Sequence, residues 1–198
     1  MDRTTALLIV DMQMEMANAT AAGRPRANPQ AEALTAELLS GFRAAGLPVV
    51  HVMHDDPRPT HRFRKDRPGG QAMPCAMPQD GEPVFWKAGS SGFSGTGLAE
   101  HLRAAGITRL VITGGVAAFC VASTVRAASD LGFEVLVPED ALLGFAMPSR
   151  HGGDMDAEAV LEVTLAGLQA GFATVLTTAQ ILEKLPAGLA AGTAGATV

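Results

Sequence analysis

The chain has 198 residues, 47% of them apolar, with a mean hydropathy of +0.20; that is enough for one buried core and excludes disorder over its bulk. A formal net charge of −5 without a basic block speaks against a nucleic-acid-binding surface, and no apolar run reaches membrane-spanning length. Cys75 and Cys120 stand in unlike contexts and make no disulfide framework. Tyrosine is absent, which removes the phenol as acid, base or ligand. A cytoplasmic setting without a signal peptide is expected.

Residues 4–11 (Thr-Thr-Ala-Leu-Leu-Ile-Val-Asp) form a near-continuous apolar run closed by an acid. A central parallel strand covered on both faces has this composition. Asp11 would fall at its carboxyl end, where open α/β sheets place their sites; an acid capping the next turn is the plainer use of that residue. Residues 14–28 are rich in Met, Ala and Arg without periodicity, which predicts a loop or lid. Leu34, Leu38, Leu39 and Phe42 then recur at helical spacing up to Gly46, and residues 47–53 read as a second strand.

The segment from His54 to His61 (His-Asp-Asp-Pro-Arg-Pro-Thr-His) carries the densest set of possible metal ligands. Imidazole with carboxylate suits a divalent transition metal, yet these are also ordinary turn residues, and no metal is expected. Residues 57–82 are rich in proline and glycine; a loop of that length in a compact domain is a lid or a binding element. Cys75 lies inside it and reads as incidental.

A third strand over 82–87 ends in Lys87 beside the only tryptophan, Trp86; a snorkelling surface lysine is the bland alternative. The Gly/Ser-rich segment that follows lets backbone and hydroxyls approach a ligand, and a short helix covers 97–105. Residues 107–113 form a fourth strand. The stretch 114–126 (Gly-Gly-Val-Ala-Ala-Phe-Cys-Val-Ala-Ser-Thr-Val-Arg) then turns into a helix marked by Val121, Val125, Ala128 and Leu131 and stopped at Gly132. Cys120 therefore sits at a strand–helix junction, where unpaired N–H groups and the helix dipole favour a thiolate. A small buried cysteine is the plain alternative. Strands over 132–137 and 172–176 and helices over 156–171 and 178–185 complete a domain of residues 1–185, followed by a Gly/Ala-rich tail over 186–198.

This alternation predicts an α/β fold: a doubly wound, largely parallel six-stranded sheet flanked by helices, in a Rossmann-type three-layer arrangement. Asp11, Lys87 and Cys120 then share one edge of the sheet. Chemically they are a coherent set. A carboxylate can take the thiol proton, an ammonium can hold the thiolate and orient the acid, and the sulfur can attack a carbonyl.

On these residues the sequence resembles the isochorismatase-like cysteine hydrolases, a superfamily that includes nicotinamidase and carbamoylsarcosine amidohydrolase. The matching stretches are 6–13 (Ala-Leu-Leu-Ile-Val-Asp-Met-Gln), 84–87 (Val-Phe-Trp-Lys) with 91–98, 114–121 (Gly-Gly-Val-Ala-Ala-Phe-Cys-Val), 133–141 and 172–178. The resemblance implies that Cys120 is the nucleophile, Asp11 the general base and Lys87 its charged partner. It also implies an oxyanion hole from the N–H groups of Val116 and Cys120, with a cis peptide between Gly115 and Val116. The expected substrate pocket draws on Gln13, His54, Trp86, Phe93, Ala117 and Phe119. Ala117 stands where many members carry threonine. The order His54-Asp55-Asp56-Pro57 departs from that of metal-binding nicotinamidases and points to the metal-free amidohydrolase branch. The implied activity is cleavage of a C–N bond in a small amide or carbamoyl substrate through a Cys thioester. No cofactor, nucleic acid or membrane is expected, and the assembly is expected to be a homodimer or homotetramer. Vinyl-ether hydrolysis of isochorismate, a non-catalytic binding protein on the same fold and a thiol redox sensor are the alternatives.

Overall fold

Every residue of strand β1 (Thr5–Val10) is buried, because it is a middle strand of a sheet covered on both faces. Its side chains alternate: Ala6, Leu8 and Val10 enter one apolar layer, Leu7 and Ile9 the other. Fully burying each leucine or isoleucine contributes about 1.5–3 kcal/mol, so this one strand anchors both layers. The computed structural model describes residues 1–186. The expected tail over 186–198 lies, but for its first residue, outside the described residues.

After β1 come α1 (Met14–Ala21), β2 (Arg26–Ala27), α2 (Ala31–Ala44), β3 (Val49–His54), β4 (Val84–Lys87), α3 (Leu98–Ala104) and β5 (Arg109–Gly115). A π-helical turn (Ala117–Val121) leads into α4 (Ala122–Asp130), followed by β6 (Glu134–Pro138) and β7 (Leu142–Phe145). A small hairpin of β8 (Met147–Pro148) and β9 (Asp154–Met155) precedes α5 (Ala157–Gln169), β10 (Thr174–Leu176) and α6 (Thr178–Leu182). The main sheet runs β10-β6-β5-β1-β3-β4, all parallel. Helices α3, α4 and α5 pack one face through Leu102, Val125 and Leu168. On the other, α1, α2 and α6 pack through Met16, Leu38, Phe42 and Ile181. This is the three-layer, doubly wound α/β fold. The chain steps outward from β1 to β4, returns past β1 to β5, then steps outward the other way. The crevice between the carboxyl ends of β1 and β5 is therefore the topological switch point.

Two features exceed the sequence expectation. The six parallel strands are joined by a short seventh and eighth. β7 pairs with the end of β5 (Gly114 with Leu142, Gly115 with Leu143) beyond the stretch that β6 covers, and β2 pairs antiparallel with β7. Residues 14–28 are not an open loop, since they form α1 and β2. Helix α1 lacks a side-chain cap and a sequence period; it is held by the burial of Met16, a tertiary contact that overrides weak propensity.

The long 55–82 connection is strapped to the segment after β1. Met14 N–H donates to Gln71 O and Met73 N–H to Met12 O, each at 2.8 Å. Glycine is required at position 70, where a Cβ would run into the Arg64 carbonyl. Among the described residues no helix is long and apolar enough to cross a membrane.

Candidate active site

Asp11 follows β1 directly, with a left-handed φ of 50°, a conformation that Asp tolerates better than most residues. Its N–H donates to Val52 O of β3 at 2.8 Å, which fixes the backbone as the carboxyl group enters the crevice. Next to it, the penultimate residue of β5, Gly114, has φ 130°. A Cβ at 114 would run into the Val10 carbonyl, so only glycine lets the two strand ends lie this close. The peptide between Gly115 and Val116 is cis. The π-helical turn then places Cys120 over the crevice. Thr124 steadies that turn: its buried hydroxyl donates to Cys120 O at 2.6 Å and accepts from Gly92 N–H at 2.9 Å. Lys87, the last residue of β4, reaches in from the far side and is only 2% exposed.

These three side chains meet. Lys87 Nζ lies 2.7 Å from Asp11 Oδ2 and 3.3 Å from Cys120 Sγ. It also donates to Gly89 O at 3.1 Å and faces His54 Nδ1 at 3.3 Å. Asp11 is 1% exposed, and its Oδ1 has no hydrogen-bond partner. A buried carboxylate oxygen left free costs stability, and here it belongs to the residue best placed to take a proton.

Burial pushes the Asp11 carboxyl up from the ordinary carboxylate value, against the pull of Lys87, Cys120 and His54. The Cys120 thiol is pushed up to about 12, by burial first and then by the Asp11 charge, while Lys87 opposes both. This corrects the thiolate expected from a helix start. Cys120 sits inside the turn, half-buried beside a carboxylate, and those two influences outweigh the backbone dipole. The resting group is a thiol. Cys75, half-buried in the strapped loop, is pushed up to about 11, mainly by its partial burial.

The crevice is a cavity of about 360 Å³. Asp11, Cys120, Val116, His54 and Phe119 line it, Phe119 being 47% exposed. Four expected pocket residues lie elsewhere. Gln13 is fully buried, and its amide closes backbone groups of His54 and Gly70: it donates to His54 O at 2.9 Å and Gly70 O at 2.8 Å and accepts from His54 N–H at 2.8 Å. Trp86 precedes Lys87, so strand alternation turns it to the opposite face. Phe93 packs on the core and stacks with Phe133, and Ala117 is core.

The remaining walls include Met16, Asp56, Arg58, His61, Phe63 and Ser90. They lie in the 14–28 segment, the long 55–82 connection and the Gly/Ser-rich segment expected to form a lid or binding element, although no one of them stands out in the sequence as a pocket residue. Asp56 is nearly buried. Both its oxygens are engaged by Arg58, with Nε to Oδ1 at 2.8 Å and Nη2 to Oδ2 at 2.7 Å. The guanidinium holds that carboxyl well below its usual range. His61 Nδ1 and His54 Nε2 lie 3.5 and 3.7 Å from Asp56 Oδ2, a carboxylate whose two oxygens Arg58 already engages. Among the described residues no group of three His, Cys, Asp or Glu side chains is arranged to hold a metal.

Comparison with known proteins agrees with this architecture. The family model for the isochorismatase domain matches residues 5–180. The isochorismatase family protein YrdC of Bacillus subtilis (strain 168) is 32% identical over 183 residues, covering 92% of this chain and 97% of that protein. Streptothricin hydrolase of Streptomyces noursei is 36% identical over 147 residues, 73% of this chain and 51% of its own length. N-carbamoylsarcosine amidase of Arthrobacter sp. is 36% identical over 84 residues, 42% of this chain and 32% of its own. The crystal structure of an isochorismatase-family hydrolase from Chromobacterium violaceum ATCC 12472 superposes with a TM-score of 0.88 at 37% identity, covering 93% of this chain and 94% of that one. A sheet whose switch point is closed by Asp, Lys and Cys thus coincides with a match along nearly the whole chain, and the protein belongs to the isochorismatase family of hydrolases.

Proposed function

We propose that the protein is a cysteine amidohydrolase that cleaves a C–N bond of a small amide or carbamoyl substrate. The observation that carries this reading is the meeting of a thiol, a buried ammonium and a carboxylate whose Oδ1 has no partner. The similarity to a streptothricin hydrolase and an N-carbamoylsarcosine amidase supports the same class of bond. Cys120 Sγ attacks the carbonyl carbon as its proton passes to Asp11, whose raised affinity for protons suits a base. Lys87 stabilises the sulfur as it becomes anionic. Val116 and Cys120 both line the cavity, and in this reading their N–H groups hold the carbonyl oxygen as it gains charge. The C–N bond breaks as Asp11 returns its proton to the departing nitrogen. Water then attacks the thioester and gives a proton to Asp11, which restores the thiol when the acid leaves. No redox step is involved.

The test is Cys120→Ser, assayed by ammonia or amine release from a panel of small amides and N-carbamoyl compounds. We expect a loss of turnover on the order of a thousandfold or more, an unchanged melting temperature, and an acyl adduct on the Cys120 peptide after acid quench of wild type. Retained turnover in the serine variant would exclude covalent thiol catalysis. A wild-type protein that releases no ammonia or amine from the panel would transfer the case to vinyl-ether hydrolysis, in which Asp11 acts as an acid without sulfur. The same reading takes the active species as a homodimer or homotetramer. Exposed Val163 and Trp86, 74% and 38% accessible, are the kind of apolar surface an assembly covers, and sedimentation at micromolar concentration checks it.

A further inference from the structure

Lys87 has more acceptors than hydrogens. Its buried ammonium carries three N–H donors and faces four acceptors: Asp11 Oδ2 at 2.7 Å, Gly89 O at 3.1 Å, His54 Nδ1 at 3.3 Å and Cys120 Sγ at 3.3 Å. A neutral thiol is the weakest acceptor of the four, so at rest the three hydrogens go to the carboxylate, the carbonyl and the imidazole. Accepting at Nδ1 requires His54 to be the Nε2–H tautomer, and that edge points toward the Asp56 carboxylate, 3.7 Å away. Phe63 meets the imidazole edge-to-face at a centroid distance of 5.8 Å and limits its rotation. Burial, and then the Lys87 charge, push the His54 pKa down, which keeps the ring neutral.

We propose that His54 is a positioning residue that holds one Lys87 N–H in the resting site and yields it to the sulfur when the thiolate forms. The inference rests on the cysteine-hydrolase reading for its purpose, although the contact itself does not. A thiolate is a charged acceptor and a neutral imidazole is not, so the hydrogen moves to sulfur only as the Cys120 proton leaves. With His54 in place the resting thiol stays protonated and unreactive. Without it, the spare N–H turns to sulfur permanently and lowers the thiol pKa.

The test needs no knowledge of the substrate. In full-length wild-type protein near pH 8, nitrogen-15 NMR of the His54 ring is expected to show an unprotonated Nδ1 and a protonated Nε2. Alkylation of Cys120 by iodoacetamide, read by peptide mass spectrometry against Cys75 as internal reference, is expected to accelerate in His54→Leu. A tenfold gain is the order expected when a neighbouring donor shifts a thiol by about one pKa unit. His54→Asn, whose side-chain oxygen can take the place of Nδ1, is expected to restore the wild-type rate. A ring protonated at Nδ1 overturns the proposal, and so does a leucine variant that alkylates like wild type or an asparagine variant that alkylates like leucine. Failure of the underlying reading shows separately, as amide turnover that survives Cys120→Ser.

Discussion

At the scale of single residues the site is built around a buried ion pair, and that makes a sharp statement about stability. Asp11 and Lys87 are both almost wholly out of water. Each ion has lost its hydration and is held by the other. Lys87→Ala should therefore cost about 3–5 kcal/mol, since it strands the Asp11 charge. The double change Asp11→Asn with Lys87→Met removes both charges at similar volume and should recover most of that loss, or exceed wild-type stability, while abolishing turnover. Urea denaturation of the two variants checks this; a double variant no more stable than the single one would sink it. Asp11, Lys87 and Cys120 were legible in the sequence because each lies where an apolar run stops, a one-dimensional signal. The charge state of Cys120 was not. A helix start is a local feature, whereas burial and a carboxylate from a strand more than a hundred residues away are properties of the assembled crevice. Gln13 shows the converse error: a polar residue two places beyond Asp11 looked like a ligand, yet its amide is wholly engaged by backbone.

At the scale of elements, the six parallel strands and the helices between them were readable from alternation and periodicity. Helix α1 and the strap over 55–82 were not, because both depend on contacts made only after folding. Asp56, Arg58, His61 and Phe63 enter the cavity because of that strap. Its course is set by Gln13, by the close approach at Gly70 and by backbone bonds to the segment after β1, none of which leaves a pattern in the local sequence. The end of β5 gives a test of how tightly an element end must be made. Gly114 combines a positive φ with contact against the Val10 carbonyl. Gly106, in the turn after α3, has φ 71° and open space around it. Gly106→Ala should cost about 1–2 kcal/mol, the left-handed backbone penalty alone. Gly114→Ala adds a clash that only a strand shift relieves, so its cost should be on the order of 3 kcal/mol or more, with loss of activity as Asp11 and Cys120 move apart. Equal denaturation midpoints for the two variants would show that the strand ends are not so closely constrained.

At the scale of the whole molecule, the balance of buried charge decides how the fold responds to acid. Away from the crevice, His51 of β3 is 2% exposed and pairs with Glu82 at 2.9 Å, while Arg43 of α2 grips the same carboxylate at 2.7 and 2.8 Å. Burial pushes the His51 pKa below its ordinary 6.5. The folded state then binds fewer protons than the unfolded chain, and stability present above 6.5 is lost as pH falls. For Glu82, burial opposes the charge, but Arg43, the Gln79 N–H and His51 outweigh it and hold the carboxyl at about 2, against an ordinary 4.5. That contribution is complete above 4.5 and is lost between 4.5 and 2. Asp11 has the opposite sign: its raised value means that its charged form costs stability as pH rises, a cost the site accepts to keep a base. The clamp joins α2, β3 and the entry to β4, so its two slopes act on the global transition. We expect the melting temperature to fall gently from pH 7 to 5 and more steeply below 4.5. Glu82→Gln should melt lower at pH 7 and show a shallower segment below pH 4.5, because one of the groups that supply it no longer titrates, while Asp56 and Glu32, held low by Arg58 and Arg26, still do. Thermal melts of both proteins across pH 3–7 decide the matter, and a Glu82→Gln curve parallel to wild type below pH 4.5 would place the acid sensitivity elsewhere.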